Sequence, residues 1–375
     1  MVTAISASAP RNYLRPTGLV PATRDSRSQH EAGGGFAGTL PLCGDGPFDF
    51  AAVEIITRQG PRIARRLRAL GELWESDSGP ALLGANETLA LITAPRRRLA
   101  GLPMDRPQLM GVVNVTPDSF SDGGQFANSA DAITHALKLV EEGATILDIG
   151  GESTRPKSEA IPRDVELARV LPVIEALARQ TDVLISIDTR KASVARLALA
   201  AGAHLINDIT AMTFDPEMLG VAADSGVPVV LMHALGDPKT MQDNPRYDDA
   251  PADIFDYLTA RIQACVSAGI ERTKIVVDPG IGFGKNVDHN LQLMASLSLF
   301  HGLGCPVLVG ASRKRFIGAL THEPVAAKRV AGSIGAALAA AAQGVQIIRV
   351  HDVAETKAAL AVFMAGLGAA QSAPG

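Results

Sequence analysis

Polar side chains interrupt or end a series of short apolar segments, and their types suit the binding of a polar, charged ligand. In chain order they are Asn114, Asp148, Asp188, Asn207 with Asp208, His233, Asp278, Ser312 to Lys314, and Arg349 with His351. A buried carboxylate or amide costs about 2–7 kcal/mol unless it finds hydrogen-bond partners. A single acid is equally well explained as a helix cap. Several together predict a ligand with a row of N–H donors and ring nitrogens.

The basic members of this set favour a phosphate ligand. Arg349 and His351 are two residues apart in an apolar segment, so a strand would point both to the same side. Arg155 and Lys314 add donors from other segments, and a guanidinium binds phosphate oxygens through two parallel hydrogen bonds. We therefore predict a diphosphate site at this group of residues.

No cluster of cysteines or histidines has the spacing of a metal site. Asn114 is neutral and by itself a weak metal ligand. A Mg²⁺ ion that keeps most of its waters and bridges diphosphate oxygens needs little more from the protein, so Asn114 is the candidate metal ligand. Two other basic residues, Arg313 and Arg315, are interpreted as ordinary solvated charges.

Regular alternation of apolar segments and helical stretches begins after Arg106, the pattern of βα units around a parallel sheet. The predicted strands are 109–115, 145–149, 183–187, 204–207, 227–232, 274–278, 306–310 and 346–350. The predicted helices are 131–142, 164–180, 193–201, 216–225, 252–268, 326–343 and 354–365. Eight units favour a closed (β/α)₈ TIM barrel, in which the chemistry gathers at the C-terminal ends of the strands. No Gly-x-Gly-x-x-Gly motif follows the first strand, and residues 280–284 (GIGFG) are predicted to form a flexible loop.

The first part of the chain lacks this alternation and any motif that points to chemistry. Residues 1–105 are predicted to be an N-terminal extension that is partly disordered and could contain a small accessory subdomain. A barrel domain over 106–368 and a tail over 369–375 are predicted to follow. Within the extension we expect disorder over 1–35, a helix over 61–73, a strand over 88–93 and a basic linker over 95–106.

Composition excludes some classes of function. The 35 basic and 39 acidic side chains leave a formal net charge of −4, which gives no electrostatic case for binding nucleic acid or membranes. The cysteines, Cys43, Cys265 and Cys305, are far apart, which is typical of a reducing compartment. No segment reaches transmembrane length, so a cytoplasmic protein is expected.

The motifs at the strand ends resemble those of the dihydropteroate synthase family. The resemblance covers the whole barrel, in family order, and does not extend to the residues before Arg106. The motifs are 110–124 (MGVVNVTPDSFSDGG), 148–156 (DIGGESTRP), 186–190 (SIDTR), 207–208 (ND), 232–233 (MH) with 240–242 (TMQ), 278–285 (DPGIGFGK), 312–314 (SRK) and 349–351 (RVH).

The resemblance implies condensation of (7,8-dihydropterin-6-yl)methyl diphosphate with 4-aminobenzoate, which releases pyrophosphate. It also implies a role for each matching residue. The pterin would contact Asp188, Asn207, Asp278 and Lys314. The diphosphate and Mg²⁺ would contact Arg349, His351 and Asn114. The aminobenzoate would lie near Thr154, Arg155 and Ser312, with Phe120 and Phe283 as hydrophobic walls. Asp148 would support the site, and Lys314, Arg349 and Asp188 would be its catalytic residues.

A dissociative substitution is the expected chemistry, because a diphosphate leaves readily once its charge is absorbed and the electron-rich pterin stabilises the resulting cation. The loops after the first two strands would close over the site and exclude water. One departure is Lys157, where the family usually has glycine. We expect it to alter affinity for aminobenzoate or its sulfonamide mimics, so that sulfonamide inhibition differs between wild type and Lys157→Gly.

Two other functions remain open at this point. One is a pterin-binding methyltransferase that acts on a methylated folate and a corrinoid protein. Such an enzyme would not need the Ser312 to Lys314 motif or the Arg349 and His351 pair. The other is a non-catalytic partner protein, which would have no use for Lys314 and Arg349 together. By family analogy we also expect a homodimer through the late helices, where Gly332, Ser333, Gly335 and the alanines of 336–342 would permit close packing.

Overall fold

The structure is a computed structural model that describes residues 10–22, 38–75, 85–116, 125–153, 158–236 and 239–372. Its strands are β1 Arg11–Pro21, β2 Leu40–Pro41, β3 Phe48–Gln59, β4 Arg62–Ala69, β5 Gln108–Asn114, β6 Ile146–Gly150, β7 Leu184–Asp188, β8 Leu205–Asp208, β9 Val229–Met232, β10 Ile275–Asp278, β11 Leu308–Val309 and β12 Ile347–Val350. Its α-helices are α1 Leu70–Glu75, α2 Ala85–Thr93, α3 Gln125–Glu142, α4 Arg163–Gln180, α5 Ala192–Ala200, α6 Met218–Ser225, α7 Ala250–Ser267, α8 Val287–Met294, α9 Arg315–Thr321, α10 Val330–Ala341 and α11 Val353–Ser372.

Strands β5 to β12 form one eight-stranded parallel sheet in the order β10-β9-β8-β7-β6-β5-β12-β11. The two ends of this sheet meet where Val277 pairs with Val307 and the Val277 amide donates to Pro306 O at 3.0 Å. The sheet is therefore closed, with helices between successive strands. The (β/α)₈ barrel predicted from the sequence is confirmed.

Alternate residues of the barrel strands face opposite sides, as the pleat of a strand requires. One set, which includes Ile149, Ile187 and Leu231, is buried together with side chains of the surrounding helices. The other set faces the barrel interior. At its lower level every strand contributes an apolar side chain: Met110, Ile146, Leu184, Leu205, Val230, Val276, Leu308 and Ile347. This apolar layer closes the N-terminal end of the barrel.

The segment before β5 completes that closure. Leu99 and Met104 are buried in the same apolar cluster, and Leu99 and Leu102 pair with each other in a tight antiparallel bridge. The basic linker predicted over 95–106 connects α2 to β5, and it also contains two core residues that its arginines hid. The segment covers the floor of the barrel.

Strands β1 to β4 form a separate antiparallel sheet, which corrects two predictions for the extension. Strand β1 lies within the region expected to be disordered and pairs along β3, from Arg11 with Arg58 to Pro21 with Phe48. The helix predicted over 61–73 is instead β4 followed by α1. Gly60, with φ 59°, and Pro61 connect β3 to β4 in a hairpin.

The misassigned helix has a simple physical cause. Ile63 and Leu67 are four residues apart, and that spacing places two side chains on one face of a strand as well as of a helix. Leu67 is 64% exposed, so it is not a core residue at all. The opposite error occurs at 88–93, a predicted strand that belongs to helix α2. The buried residues there, Leu89 and Ile92, have the three-residue spacing of a helix.

The antiparallel sheet packs against the barrel through apolar and polar contacts. Phe50 and Val53 are fully buried in a cluster that also takes in Phe363 and Leu367 of α11. Tyr13 donates to Asp256 Oδ2 at 2.9 Å, and Arg58 Nη1 donates to Asp253 Oδ1 at 2.5 Å, both on α7. The extension is thus joined to the outer surface of the barrel.

Smaller differences concern the helices. Helix α11 continues to Ser372, so the tail predicted from 369 begins inside a helix. The stretch predicted as one helix over 326–343 is a 3₁₀-helix, Ala326–Lys328, followed by α10. Helices α8 and α9 and the 3₁₀-helix Leu297–Leu303 were not predicted from the sequence.

Among the described residues, none of the helices has the length and apolar character needed to cross a membrane.

Candidate active site

Directly above the apolar floor, the interior side chains of the same strands are polar. Arg349 on β12 lies at the centre of this group. Its Nε donates to Asp148 Oδ2 at 2.6 Å and its Nη2 donates to Asp188 Oδ2 at 2.9 Å. Asn207 Nδ2 on β8 also donates to Asp148 Oδ2, at 3.0 Å. The structure therefore brings together three predicted site residues around Asp148, a residue to which the sequence analysis gave only a supporting role.

One guanidinium faces two buried carboxylates, so their charges are not fully balanced. Burial, together with the charge of Asp148, raises the pKa of Asp188 to about 8, although Arg349 opposes this. Asp148 is fully buried, and its Oδ1 has no hydrogen-bond partner among the described residues. Unsatisfied buried acceptors cost free energy, so this cluster is prepared for a ligand that brings N–H groups.

Asp278 and Lys314 form a second part of the site. The Gly280 amide donates to Asp278 Oδ1 at 2.7 Å, and burial raises the pKa of Asp278. Lys314 Nζ donates to Ile281 O and lies 4.3 Å from the centre of the Phe283 ring. Burial lowers the pKa of Lys314 to about 7, although Asp278 opposes the shift. Lys314 can thus lose its proton near neutral pH.

The segment 280–285 contains the loop predicted over 280–284, and side chains hold it along its length. Its glycines at 280, 282 and 284 all have positive φ, which favours this tight path. The carbonyl of every residue from 281 to 285 accepts a hydrogen bond from a side chain. The donors, in order, are Lys314, Gln242, Lys285, Tyr247 and Asn290. The phenylalanine at 283 is therefore presented on a rigid wall.

Ser312 and His351 lie together on the basic side of the site. Ser312 Oγ is 3.0 Å from His351 Nδ1, and the His351 amide donates to Ser312 Oγ at 3.2 Å.

Arg313, interpreted from the sequence as a solvated charge, is half-buried and donates to both carboxylate oxygens of Asp352. That interpretation is wrong for Arg313, whose partner is 39 residues away in sequence. Arg315 is exposed.

A cavity of about 490 Å³ opens above these groups. Among the predicted site residues, its wall contains Asn114, Phe283, Ser312, Lys314, Arg349 and His351. Asp188, Asn207 and Asp278 lie outside that wall. Arg349 connects the two levels, because it lines the cavity and also bonds to Asp148 and Asp188 below.

Several predicted residues lie outside the described residues: Phe120, Thr154, Arg155 and Lys157. The chain on either side of 154–157 is anchored by a buried ionic group that the sequence analysis missed. Glu152 accepts from Arg190 Nε at 3.1 Å and from Lys191 Nζ, and Lys191 also bonds to the buried Glu166 at 2.5 Å. The adjacent acidic and basic residues of the 148–156 and 186–190 motifs were the available signal for this group.

The site offers few protein ligands for a metal ion. The described part of the chain contains no group of three or more His, Cys, Asp or Glu side chains that could hold a metal ion. Asn114 lines the cavity, and its side chain makes no hydrogen bond with other described residues. An ideal Cβ on Gly150 would be 3.7 Å from both Asn114 Oδ1 and Asp188 Oδ2, so both oxygens lie near Gly150. One free amide oxygen suits an ion that takes most of its ligands from water and substrate.

Comparison with known proteins agrees with this architecture. Residues 110–351 match a family model described as pterin binding enzyme. The chain is 48% identical over 271 residues to the dihydropteroate synthase of Escherichia coli K12, covering 72% of this chain and 95% of that relative.

Two solved structures of the Xanthomonas albilineans dihydropteroate synthase are also similar. The one with 4-aminobenzoic acid has a TM-score of 0.68 at 50% identity, covering 73% of this chain and 97% of that chain. The one in complex with 7,8-dihydropteroate has a TM-score of 0.66 at 48% identity, with the same coverage of 73% and 97%. The chain belongs to the family of pterin binding enzymes. Within that family it belongs to the dihydropteroate synthases.

Proposed function

We infer that this chain transfers a (7,8-dihydropterin-6-yl)methyl group from its diphosphate ester to the amine of 4-aminobenzoate, forming 7,8-dihydropteroate and pyrophosphate. The observation that carries this inference is the two-level site. An acid and amide cluster lies at the bottom of the barrel mouth, and Arg349 joins it to a basic cavity. A pterin needs acceptors for its N–H groups, and a diphosphate needs cations. The two levels supply both.

We assign the pterin to the lower level, with Asp188, Asn207 and Asp278 as acceptors of its ring N–H and amino groups and Lys314 as a donor to its carbonyl edge. The raised pKa of Asp188 supports this assignment, because a carboxylate destabilised by burial and by the nearby charge of Asp148 is stabilised by a further N–H donor. The flat ring would lie against the segment 280–285, whose shape is fixed by its side-chain donors.

We assign the diphosphate to Arg349 and His351 and a Mg²⁺ ion to Asn114. Two of the five N–H groups of the Arg349 guanidinium donate to Asp148 and Asp188, which hold the fork in place at the cavity wall. Asn114 Oδ1 is the protein ligand we propose for the ion, with waters and diphosphate oxygens as the others. When bound, Mg²⁺ would neutralise charge that develops on the leaving diphosphate.

The aminobenzoate is assigned to the outer part of the cavity, near Ser312 and the Phe283 ring. Thr154 and Arg155 belong to the same proposal by motif position. The bond from the pterin methylene carbon to the diphosphate oxygen breaks first, and its electron pair leaves with pyrophosphate. The lone pair of the arylamine then forms the C–N bond, and the nitrogen loses a proton. A neutral arylamine is already nucleophilic, so the chain needs no general base.

A pyrophosphate-release assay tests this function. Purified protein with Mg²⁺, the pterin diphosphate and 4-aminobenzoate should form dihydropteroate and pyrophosphate in equal amounts. Folded protein that forms no dihydropteroate would rule the proposal out. The corrinoid methyltransferase and the non-catalytic partner, the two alternatives, each predict that result.

We also propose a cytoplasmic homodimer. Exposed small residues on α10, among them Gly335 and Ala339, together with Val362 on α11, would allow close approach of a second copy. Sedimentation velocity at working concentration should give the mass of two chains. A single-chain mass would refute the dimer and leave the catalytic proposal intact.

A further inference from the structure

Lys285 is a buried amine that the proposed reaction does not use. Its side chain is 3% exposed, although lysine is seldom buried without partners. Its Nζ lies 3.0 Å from His233 Nδ1, 3.3 Å from His233 O and 2.9 Å from Phe283 O. Burial lowers the pKa of Lys285 well below its usual value. Three polar contacts around a buried amine indicate a specific task for this side chain.

The two carbonyl groups that accept from Lys285 belong to different parts of the barrel. His233 directly follows β9, and Phe283 lies in the segment that follows β10. An amine carries at least two N–H groups whether or not it is protonated, so both carbonyl contacts persist in either state. Lys285 therefore ties the segment 280–285 to the neighbouring strand end without depending on its own charge.

The tied segment presents groups that face the cavity. The Phe283 ring lies under Lys314 Nζ, at 4.3 Å from the ring centre, and Ile281 O accepts from the same nitrogen. Gly282 and Phe283 both line the cavity. A shift of the Phe283 carbonyl would move the ring and the Ile281 acceptor, and thus the Lys314 amine.

We propose that Lys285 is a positioning residue for the transfer reaction, which sets Phe283 and Lys314 where the pterin and the arylamine meet. The proposal rests on the proposed function. Gln242 and Tyr247 each donate to a single carbonyl of the same segment, Gly282 O and Gly284 O. Of the three side chains, Lys285 is the one that joins a carbonyl of the segment to the His233 carbonyl at the end of β9. Loss of Lys285 should therefore reduce activity more than loss of either of the other two.

The first test is Lys285→Met, which keeps the length and apolar stem of the side chain but removes its donors. Loss of two buried hydrogen bonds should lower kcat by about 10-fold or more, by the usual magnitude of such bonds. KM for 4-aminobenzoate should rise, because Phe283 forms part of the wall assigned to it. Each constant is referred to the folded fraction, measured by circular dichroism. Lys274→Met, at a partly exposed lysine paired with Glu271, is the matched control and should match wild type.

The second test asks whether an amine in the right place restores function. Lys285→Ala removes the stem, and propylammonium should enter the space and recover part of kcat/KM in a saturable way. Tetramethylammonium has the same charge but no N–H group and should not. This comparison separates positioning through hydrogen bonds from a general effect of lost packing or lost charge.

The outcomes divide cleanly. Reduced kcat per folded molecule, with recovery by propylammonium beyond that by tetramethylammonium, supports the proposal. Wild-type kcat and KM per folded molecule, or an equal response to the two cations, overturns it. Wild-type protein is assayed in parallel: if it forms no dihydropteroate, the proposed function has failed and this proposal falls with it. If wild type is active and Lys285→Met is unaffected, only the positioning role is lost.

Discussion

The interior of the barrel has two levels that differ in chemistry although they belong to the same strands. At the floor, Leu205 and Ile347 are fully buried in a continuous apolar layer. Two residues further along the same strands, Asn207 and Arg349 join a cluster with unbalanced charge. A spacing of two residues along a strand thus separates side chains that stabilise the fold from side chains that form a binding site.

This difference has an energetic meaning. The floor gains free energy from each apolar group it removes from water. The mouth loses free energy, because it keeps an acceptor on Asp148 that no described residue satisfies and a carboxyl on Asp188 that resists ionisation. Perturbed groups of this kind gather at functional sites, where a ligand completes the missing interactions. Substitutions at the two levels should therefore affect different properties.

Arg349→Ala should have the largest effect on activity. It removes the guanidinium that links the acid cluster to the cavity wall, and it leaves Asp148 and Asp188 without their shared partner. We expect kcat to fall by about 10²–10³-fold, the range for loss of one preorganised donor. Steady-state kinetics with saturating pterin diphosphate measure this. Unchanged kcat would show that Arg349 has no part in diphosphate departure.

Leu205→Ala should have the largest effect on stability. Truncating a fully buried leucine leaves a cavity and costs about 2–5 kcal/mol in free energy of unfolding. KM values per folded molecule should stay near wild type. Asn207→Ala, two residues along the same strand, is the matched control and should show the reverse pattern. Urea denaturation and kinetics on both variants compare the levels directly, and similar behaviour of the two would remove the distinction.

Asp188→Asn should separate the two substrates. Loss of a carboxylate acceptor typically costs about 1.5–3 kcal/mol when its partner is charged or strongly polar, or about 10–100-fold in affinity. We expect that loss for the pterin diphosphate and little change for 4-aminobenzoate. Isothermal titration with each ligand measures it. Equal losses for the two ligands would contradict the placement of Asp188 in the pterin level.

A further effect should appear in the pH dependence of stability without substrates. Because the pKa of Asp188 is raised in the folded state, its protonated form contributes stability that is complete below its ordinary value of 3.8. That contribution is lost as pH rises through about 8. Between pH 5 and pH 8, wild type should therefore lose stability relative to Asp188→Asn, by at most about 1.4 kcal/mol per pH unit. A difference in unfolding free energy that does not vary with pH would rule out the raised pKa.

The barrel was predictable from sequence because its signals are local and repeated. Each strand is a short apolar segment, and each polar strand end follows it directly, so position alone placed Asp278 and Arg349 at one mouth. The extension was not predictable in the same way. Strand β1 forms because it pairs with β3, more than 25 residues further along the chain. The composition of either strand does not indicate which strand it pairs with.

Within the candidate site, too, some residues were predictable from the sequence and others were not. Lys314 and His351 stood out because charged side chains interrupt apolar segments. Lys285 did not, because a lysine after a glycine-rich segment is expected to be solvated. Its burial depends on His233 from another strand, and the pairing of Arg313 with Asp352 likewise spans 39 residues.

By itself, the sequence determined the eight strands, the polar character of their ends and the family to which the motifs belong. These follow from periodicity and residue type, which act over a few neighbouring positions. Only the tertiary structure decided which polar groups share a proton or a partner, which loop is rigid and where the extension folds. Those outcomes depend on burial and on contacts between residues far apart in the chain, because a hydrogen bond or a desolvated charge is defined by its surroundings rather than by its neighbours in sequence.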